Sequence, residues 1–486
     1  MHGDHARRSR LALAAVIAVG AANFLWQLGS SNYFVDEILS VSAAFRPLGN
    51  VLQAVSTGEL TPPAYFYFLH EWLTRLATQT EWIARLPSAA CGALLVGAVY
   101  WLAWRLAGRR AVALGSAALT AASPFVLEYS QRAQGYVFVM LAVTLTVAAA
   151  LQAERSSHRR TAWLMAAAGG AVVSLWLHYT AGWVLLVLCG WVARRPAFTV
   201  AARRVFVAAC ALAALSLAPL VAAQHASIPA RRGVAASAGI TATTVARLLD
   251  TPFDGRVDAL RPLGIVLTLG ALALVLTRGA KVIGEWRLLA LIAAGEPLAL
   301  LLSSAFGAHL MLTRYAAVAA PFMIVAIAAA IAVLAALPRP AAGGLVAVAI
   351  AALALVTLQG LFESHRAQGF YPDARGVVAY VRAHERAGDL VVAPGNPATA
   401  VPLLYYGVSG LRAGWTDDPA AGIRLLSERR HRLWTIVELP GDPPAGAVRS
   451  AAQRALRPFG YRVAAARVFP GVVALAVVLA VPSRSI

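Results

Sequence analysis

Charged residues are scarce in this chain. Asp, Glu, Lys and Arg make up only 13% of its 486 residues, whereas about a quarter of an average soluble domain is charged. Lysine is nearly absent, since Lys281 is the only one, and 59% of the residues are hydrophobic. Apolar runs of roughly 17–25 residues, which suffice to cross a bilayer, recur along most of the length. These features predict a polytopic α-helical membrane protein.

Cysteine is also rare, and the common nucleotide and metal motifs are missing. Cys91, Cys189 and Cys210 each lie inside an apolar run, which is typical of small buried side chains rather than of a disulfide framework. The chain contains no glycine-rich nucleotide fingerprint, zinc-protease motif or CxxC pair. The sequence therefore requires no cofactor, and a divalent metal stays an open alternative.

The charges that are present are mostly positive, with a formal net charge of +20. The arginines cluster in short segments between apolar runs, as the positive-inside rule requires of cytoplasmic loops. We therefore expect no nucleic-acid partner and about eleven transmembrane helices. The basic clusters lie at 7–10, 105–110, 155–160, 194–204, 278–287 and 339. The predicted spans are 11–29, 88–106, 111–127, 136–152, 161–178, 181–193, 205–223, 263–277, 288–305, 316–337 and 343–361.

The first apolar run, from Leu11 to about Leu28, follows three arginines and is long for a signal peptide. It lacks a convincing cleavage site, so it is interpreted as an uncleaved first span with a cytoplasmic N-terminus. The predicted location is the bacterial inner (plasma) membrane.

Two domains are predicted. Residues 1–361 form the transmembrane domain, with a first exoplasmic loop at 30–87 in which Thr61-Pro62-Pro63 starts an amphipathic interfacial helix. Residues 362–486 form an exoplasmic, periplasmic α/β domain, because short β-branched runs alternate there with the helical stretches 373–387 and 445–457. The run 471–481 is too short for a span and is predicted to be a buried strand.

Several ionisable and aromatic side chains lie at one predicted face of the membrane, where such groups are functional candidates. A carboxylate there can act as a general base, bind a metal or face solvent. An arginine can reach lipid headgroups or bind a lipid phosphate, and a lone histidine is typical of an interfacial hydrogen-bonding residue. These alternatives stay open on the residues alone. The candidates are Asp36, Glu37, Glu128, Arg132, Tyr136, His178, Arg314 and Tyr315.

Together, a series of short motifs resembles the GT-C superfamily of integral membrane glycosyltransferases, in the branch of protein O-mannosyltransferases and aminoarabinose transferases. The similarity covers roughly residues 1–361. In order, the motifs are Asp36-Glu37, Thr-Pro-Pro-Ala-Tyr at 61–65, Ala-Arg-Leu-Pro-Ser at 84–88, Tyr-Ser-Gln at 129–131 with Tyr136, His178-Tyr179 and Arg314-Tyr315.

The resemblance implies a sugar donor carried on polyprenyl phosphate and a cell-envelope acceptor, which would be a glycolipid, polysaccharide or protein. It also implies a catalytic base in the first loop, which maps onto Asp36 with Glu37 beside it. Arg314 is the first candidate and Arg132 the second for stabilising the departing phosphate. Direct displacement with one base predicts inversion at the anomeric carbon. Membrane lipids are the remaining expected partners.

The second loop departs from the pattern of the relatives. They often have Gln-Glu-Ala-Arg-x-Tyr, whereas this chain has Gln-Arg-Ala-Gln-Gly-Tyr at 131–136. Arg132 and Glu128 are the candidates to replace the missing charge and carboxylate. The alternative functions are a transporter or lipid flippase, and a scaffold without activity. The sequence has no evident internal repeat, and its candidate charges lie at one face, which favours an enzyme over a transporter.

Overall fold

The chain divides into two compact units in the computed structural model. The membrane unit comprises residues 1–26, 43–79 and 83–364, and the sheet unit comprises residues 27–42, 80–82 and 365–486. The structure describes residues 2–59, 61–227, 240–253, 258–306, 312–338, 341–366, 372–393, 396–410, 414–416, 431–440, 443–469 and 473–483.

The described part of the membrane unit is helical. Its first helices are α1 (His2–Leu25), α3 (Leu48–Gly58), α4 (Ala64–Leu76), α5 (Glu81–Ala107), α6 (Arg110–Ala122), α7 (Pro124–Ser130), α8 (Tyr136–Arg155) and α9 (Arg160–Leu177). They are followed by α10 (Ala181–Ala193), α11 (Val200–Ser227), α12 (Ala242–Leu249), α13 (Arg261–Arg278), α14 (Trp286–Ala305), α15 (Ala320–Ala335) and α16 (Ala341–Arg366). The helix between α1 and α3, α2 (Val35–Ala44), begins in the sheet unit.

Most of these helices are long and apolar enough to cross a membrane. Among the described residues eight pass that test, and a ninth span results if α6 and α7 count as one. Two shorter apolar helices, α10 and α15, lie at the positions of the two remaining predicted spans. Every position in α15 from Ala320 to Ala330 is buried, so this helix lies inside the bundle rather than against lipid. The predicted polytopic helical fold is confirmed.

The third predicted span, 111–127, is not straight. Helix α6 ends at Ala122, and α7 leaves it at an angle of 57°. Pro124 occupies the first turn of α7, where its missing N–H costs nothing, and the Ser123 hydroxyl caps α7 by accepting from the Val126 N–H (3.3 Å). The Ser123 hydroxyl itself donates to the carbonyl of Pro252 (2.7 Å). The bend therefore has a local cause, and it sets the direction of the polar segment that follows.

The amphipathic helix expected after Pro63 is α4. Its buried positions, Tyr65, Phe66, Leu69, His70 and Leu73, recur at helical spacing on one face. The His70 ring nitrogen Nδ1 lies 2.8 Å from the carbonyl oxygen of Ala44, which provides a partner for this buried polar side chain. The opposite face is exposed and carries an ion pair between residues 71 and 75. The helix is confirmed, and its position at the membrane surface stays a prediction.

The sheet unit contains a five-stranded mixed sheet. Its strands are β1 (Leu390–Val392), β2 (Gly414–Thr416), β3 (Leu433–Pro440), β4 (Tyr461–Phe469) and β5 (Val473–Pro482), in the order β2-β1-β3-β5-β4. Strand β1 runs parallel to β2 and β3, whereas β5 pairs antiparallel with β3 and β4. The helices are α17 (Ala374–His384), α18 (Pro397–Tyr405) and α19 (Ala445–Leu456).

Strand β5 confirms the prediction that the apolar run 471–481 is a buried strand. Its odd-numbered residues 475, 477 and 479 pack in one hydrophobic cluster with residues of α17, and its even-numbered residues 476, 478 and 480 pack in another with residues of α19. Successive side chains of a strand point to opposite faces. A strand covered on both faces needs apolar residues at every position, which explains why the run resembled a membrane span.

Candidate active site

Six of the predicted site residues lie together in the membrane unit, around a continuous series of ring contacts. Centroid distances are 5.0 Å from Tyr129 to Tyr136, 5.3 Å from Tyr136 to His178, and 5.8 Å from His178 to Tyr315. We call these four rings the aromatic row. At one end of the row, the Cζ of Arg132 lies 5.4 Å from the ring centroid of Tyr129. At the other end, the Cζ of Arg314 lies 5.7 Å from the ring centroid of Tyr315.

The turn between α7 and α8 is held from the side of α1. The Gln131 side-chain amide donates to the carbonyls of Trp26 (2.8 Å) and Phe24 (3.2 Å), just past and at the end of that helix. At the other end of the turn, a Cβ on Gly135 would lie 3.2 Å from the ring of Tyr65. The turn is thus packed between α1 and α4, and it places Tyr136 at the start of α8.

Glycine at position 92 lets α5 and α7 approach each other. A Cβ there would meet the hydroxyl of Ser130 and lie 2.8 Å from the Ser130 Cβ, closer than real Cβ atoms come. Ser130 is fully buried, so the neighbouring backbone cannot yield easily. This contact fixes the end of α7, one residue after Tyr129.

Glu128 and Arg132 form an ion pair one helical turn apart, with side-chain exposures of 19% and 11%. These are the two residues predicted to replace the acid and the arginine of the relatives' second-loop motif, and the structure places them in contact. The two charges largely compensate each other. The Glu128 carboxylate therefore competes with a phosphate for the Arg132 guanidinium.

His178 lies at the C-terminal end of α9 and is 5% exposed. Its Nδ1 lies 2.8 Å from the Thr180 hydroxyl and accepts from the Thr180 backbone N–H at 3.3 Å. Burial, and secondarily the charge of Arg314, lower the pKa of His178 to about 4. The ring is therefore neutral at neutral pH. Its Nε2 is buried and has no hydrogen-bond partner among the residues that the structure describes.

Arg314 and Tyr315 lie in a short 3₁₀ helix, Thr313–Val318, that leads into α15. This segment packs against α8 and α14. Tyr315 contacts His178 directly, and the charge of Arg314 acts on both His178 and Tyr129. The arginine is thus placed within electrostatic reach of the whole row.

Glu296, in the middle of α14, is not among the residues predicted from the sequence. It is 1% exposed, and its carboxyl group lies near the Thr180 hydroxyl and the backbone of Ala319. A carboxyl group inside an apolar span is itself a functional signal, and it could have been found in the run Ala-Ala-Gly-Glu-Pro-Leu at 293–298.

Asp36 and Glu37 lie in the sheet unit, in the first turn of α2, where negative charge interacts favourably with the helix N-terminus. The Glu37 carboxylate is fully buried and accepts from the Phe34 N–H (3.0 Å), as a capping residue does. Asp36 is partly exposed. The two neighbours therefore have different surroundings, and Asp36 is the one that solvent reaches.

Long-range hydrogen bonds hold this loop in the sheet unit. The Asn32 side-chain amide donates to the carbonyl of Pro372 (3.1 Å), and the Tyr33 N–H donates to the hydroxyl of Tyr406 (2.8 Å). The Tyr406 hydroxyl in turn donates to Glu81 (2.8 Å). Burial raises the pKa of Tyr406, so the hydroxyl stays protonated and able to donate. These bonds fix the backbone that carries Asp36.

Within the described ranges, no group of three or more His, Cys, Asp and Glu side chains is arranged to hold a metal ion. The aromatic row offers flat apolar faces, a neutral imidazole and a guanidinium. Flat rings can pack against the rings of sugars or the chains of isoprenoid lipids, and a guanidinium fork matches two phosphate oxygens.

Comparisons with known proteins agree with this reading of the fold. Residues 61–222 match the model of the dolichyl-phosphate-mannose-protein mannosyltransferase family. The crystal structure of ArnT from Cupriavidus metallidurans in the apo state matches with a TM-score of 0.53 at 13% identity, over 96% of this chain and 97% of that one. The structure of the same protein bound to undecaprenyl phosphate matches with a TM-score of 0.52.

The apo oligosaccharyltransferase of Archaeoglobus fulgidus matches with a TM-score of 0.51 at 12% identity, over 88% of this chain and 69% of that one. No curated protein sequence matches the chain. The protein is therefore an integral membrane protein with the GT-C fold, and the predicted resemblance to that superfamily is confirmed. The fold is similar to that of ArnT over nearly the whole length of both chains.

Proposed function

We propose that this protein is an inverting glycosyltransferase that moves a sugar from a polyprenyl-phosphate donor to a cell-envelope acceptor. The observation that carries the proposal is the aromatic row with Arg314 at its end, in a membrane unit of GT-C fold. The match to an ArnT structure that holds undecaprenyl phosphate supports a lipid phosphate as the donor's carrier. The family model for dolichyl-phosphate-mannose users supports the same class of donor.

Arg314 is the residue proposed to bind the donor phosphate. It contacts the Tyr315 ring at the end of the aromatic row, and its charge acts on His178 and Tyr129 in the same row. As the glycosidic bond to phosphate breaks, negative charge grows on the phosphate oxygens, and a guanidinium in a site with little water stabilises that charge. The neutral His178 can add one hydrogen bond to the same group. Tyr136 and Tyr315 are proposed to line the donor on either side of His178.

Asp36 is proposed as the general base. The acceptor hydroxyl must lose its proton as it attacks the anomeric carbon, and a positioned carboxylate can take it. Attack from the side opposite the phosphate forms the new glycosidic bond while the bond to phosphate breaks, so the configuration inverts. Glu37 is proposed to act through the backbone of the loop, because its carboxylate caps α2.

The proposed location is the bacterial inner membrane, with the N-terminus cytoplasmic and the sheet unit exoplasmic. The arginine clusters between spans support this orientation. A cysteine introduced at an exposed position of α19 and probed with a membrane-impermeant thiol reagent in intact spheroplasts tests it. Labelling without permeabilisation is expected, and labelling only after permeabilisation would contradict the orientation.

The activity can be tested with purified protein in lipid nanodiscs, radiolabelled polyprenyl-phosphate sugars and cell-envelope extracts. Wild type is expected to transfer sugar, and Asp36→Asn to lose transfer by about 10²-fold or more, as for removal of a general base. Arg314→Ala should weaken donor use more than tenfold, the usual loss for a charged hydrogen bond. Arg75→Ala is the matched control, because Arg75 forms an exposed ion pair on α4.

Two outcomes would contradict the assignment. Equal transfer by wild type and Asp36→Asn would remove Asp36 from the mechanism. Equal dependence of the rate on donor concentration in wild type and Arg314→Ala would remove Arg314 from the phosphate site. If label moves across the membrane of a closed vesicle while still attached to its lipid, the protein is a flippase instead.

A further inference from the structure

Glu296 is a carboxyl group in the middle of a transmembrane helix, and the reaction proposed above does not use it. Its side chain faces the Thr180 hydroxyl and the Ala319 N–H, but neither carboxyl oxygen completes a hydrogen bond within the part of the chain that the structure describes. A charge in such surroundings is costly, and polar groups there usually serve a function. Its position beside Thr180 suggests what that function is.

Close packing of α10 on α14 brings Glu296 to Thr180. The preceding residue, Gly295, has no room for a side chain, because a Cβ there would lie 2.5 Å from the ring of Trp183. The Trp183 indole N–H donates to the carbonyl of Leu291 (3.2 Å), which anchors α10 one turn earlier on α14. Thr180 immediately precedes α10, so this contact places its hydroxyl next to the carboxyl group.

The hydrogen bonds of His178 determine which of its nitrogens carries the proton. Nδ1 accepts from the Thr180 backbone N–H, which can only donate. In a neutral imidazole one nitrogen accepts and the other donates, so the proton lies on Nε2. The Thr180 hydroxyl, 2.8 Å from Nδ1, must then donate to it as well.

The hydroxyl of Thr180 in turn determines the direction of its hydrogen bond with Glu296. A hydroxyl that donates its only proton to His178 can only accept from Glu296. We propose that Glu296 in its carboxylic acid form and Thr180 are positioning residues, which hold His178 as the tautomer with its proton on Nε2, directed to the phosphate of the lipid-linked donor. In the proposed chain the Glu296 O–H donates to the Thr180 oxygen, a bond that would give the carboxyl group the partner it lacks among the described residues, and the Thr180 O–H donates to His178 Nδ1.

The arrangement leaves Nε2 as a donor inside the aromatic row. It is buried between Tyr136 and Tyr315, whose ring centroids lie 5.3 and 5.8 Å from that of His178. The Arg314 charge keeps a second positive charge off the ring. The phosphate therefore meets one cation and one neutral, oriented N–H. This inference rests on the proposed function for the identity of the ligand, but the tautomer of His178 that it predicts can be measured without ligand.

Nitrogen-15 NMR of histidine-labelled protein in nanodiscs tests the tautomer directly, because protonated and unprotonated ring nitrogens have well-separated shifts. Subtracting the spectrum of His178→Gln assigns the signals of His178. Wild type should show Nδ1 unprotonated and Nε2 protonated at neutral pH. Thr180→Val and Glu296→Leu should give mixed tautomers, whereas Thr180→Ser and Glu296→Gln should restore the single form, because both keep the required donor.

Binding of undecaprenyl phosphate, measured on the same variants, tests the purpose of the chain. Thr180→Val and Glu296→Leu should weaken binding about tenfold, as for one hydrogen bond to a charged group, with rescue by Thr180→Ser and Glu296→Gln. Thr144→Val is the matched control: Thr144 is buried in α8, and its hydroxyl donates to the carbonyl of Met140 (2.7 Å) within the same helix.

The possible results separate the two proposals. A His178 with its proton on Nδ1, or one unaffected by Thr180→Val and Glu296→Leu, overturns the positioning chain whatever the protein binds. Loss of binding in Glu296→Gln as large as in Glu296→Leu also overturns it, since an ionised glutamate would then be required. Absence of undecaprenyl phosphate binding by wild type with the expected tautomer present contradicts the phosphate-binding role and the proposed function, but leaves the hydrogen-bond chain established.

Discussion

Replacing Gly92 with alanine tests whether the contact between α5 and α7 positions the aromatic row. The added Cβ would lie 2.8 Å from the Ser130 Cβ and 3.0 Å from a ring carbon of Phe24, and it would meet the Ser130 hydroxyl. The Phe24 ring can rotate away, but Ser130 is carried by the backbone of α7. The helix must therefore move, together with Tyr129.

The expected cost of this overpacking is about 1–3 kcal/mol of the free energy of unfolding. The displacement should also weaken binding of undecaprenyl phosphate, since Tyr129 and Tyr136 are joined by a ring contact of 5.0 Å. Thermal unfolding and lipid binding of Gly92→Ala measure both effects in detergent or nanodiscs.

The double variant Gly92→Ala/Ser130→Gly separates this explanation from a general defect. Ser130→Gly alone should cost about 0.5 kcal/mol, because serine already lies between alanine and glycine in helix propensity. In the double variant the glycine makes the room that the alanine needs, so the two losses should be less than additive and lipid binding should recover. A Gly92→Ala protein that unfolds and binds like wild type would refute the reasoning, and strictly additive losses would show that the two positions do not interact.

Three further predictions concern other groups. The folded-state pKa of His178, about 4 against an ordinary value of 6.5, means that the unfolded chain binds more protons between those pH values. Wild type should therefore lose up to about 3 kcal/mol of its free energy of unfolding as the pH falls from 6.5 to 4. The His178→Gln variant should lose correspondingly less, as measured by thermal unfolding at several pH values. If the two proteins show the same pH dependence, His178 is not a buried neutral ring. Glu37→Ala should destabilise the start of α2 by about 1 kcal/mol through loss of the bond to the Phe34 N–H, seen as faster amide exchange there than in wild type. Trp434→Phe should lower the free energy of unfolding by about 1–3 kcal/mol, because the buried Asp389 carboxylate loses the indole N–H that donates to it at 2.9 Å. An unchanged free energy of unfolding would show that this bond contributes nothing.

The helical membrane fold could be predicted because it depends on length and apolar composition alone. The lipid environment requires backbone hydrogen bonds to be satisfied within each segment, so apolar runs of sufficient length become helices wherever they occur. The same reasoning predicted β5, because its apolar run is too short to cross the bilayer as a helix and must therefore be buried inside a folded domain. The bend at Ser123 was missed although its signal, Ser-Pro inside an apolar run, is local and visible.

The membership of Gln27–Ser42 in the sheet unit could not be predicted. It depends on hydrogen bonds between residues more than 300 positions apart, such as those of Asn32 with Pro372 and Tyr33 with Tyr406. No periodicity or local motif reports contacts of that separation. The first exoplasmic loop predicted at 30–87 therefore contributes residues to both units, a division that only the tertiary structure reveals.

Candidate site residues could be proposed from the sequence, but their contacts could not. The short motifs indicated Glu128, Arg132 and Tyr136 one by one, but the ion pair of the first two and the ring contact of the third depend on the bend before α7. Glu296 belongs to none of the motifs, which lie at the ends of predicted spans, whereas Glu296 lies in the middle of one. Its role depends on a contact between two helices, which its own sequence position does not reveal.

The stoichiometry of lipid phosphate release tests the central claim most directly. Purified protein in nanodiscs is incubated with a polyprenyl-phosphate sugar labelled in both lipid and sugar, together with envelope acceptor. The account predicts that one free polyprenyl phosphate appears for each sugar transferred, and that neither product forms with Asp36→Asn. Donor that stays intact with every sugar and acceptor pair supplied, while the protein binds or moves it, would contradict glycosyl transfer as the function.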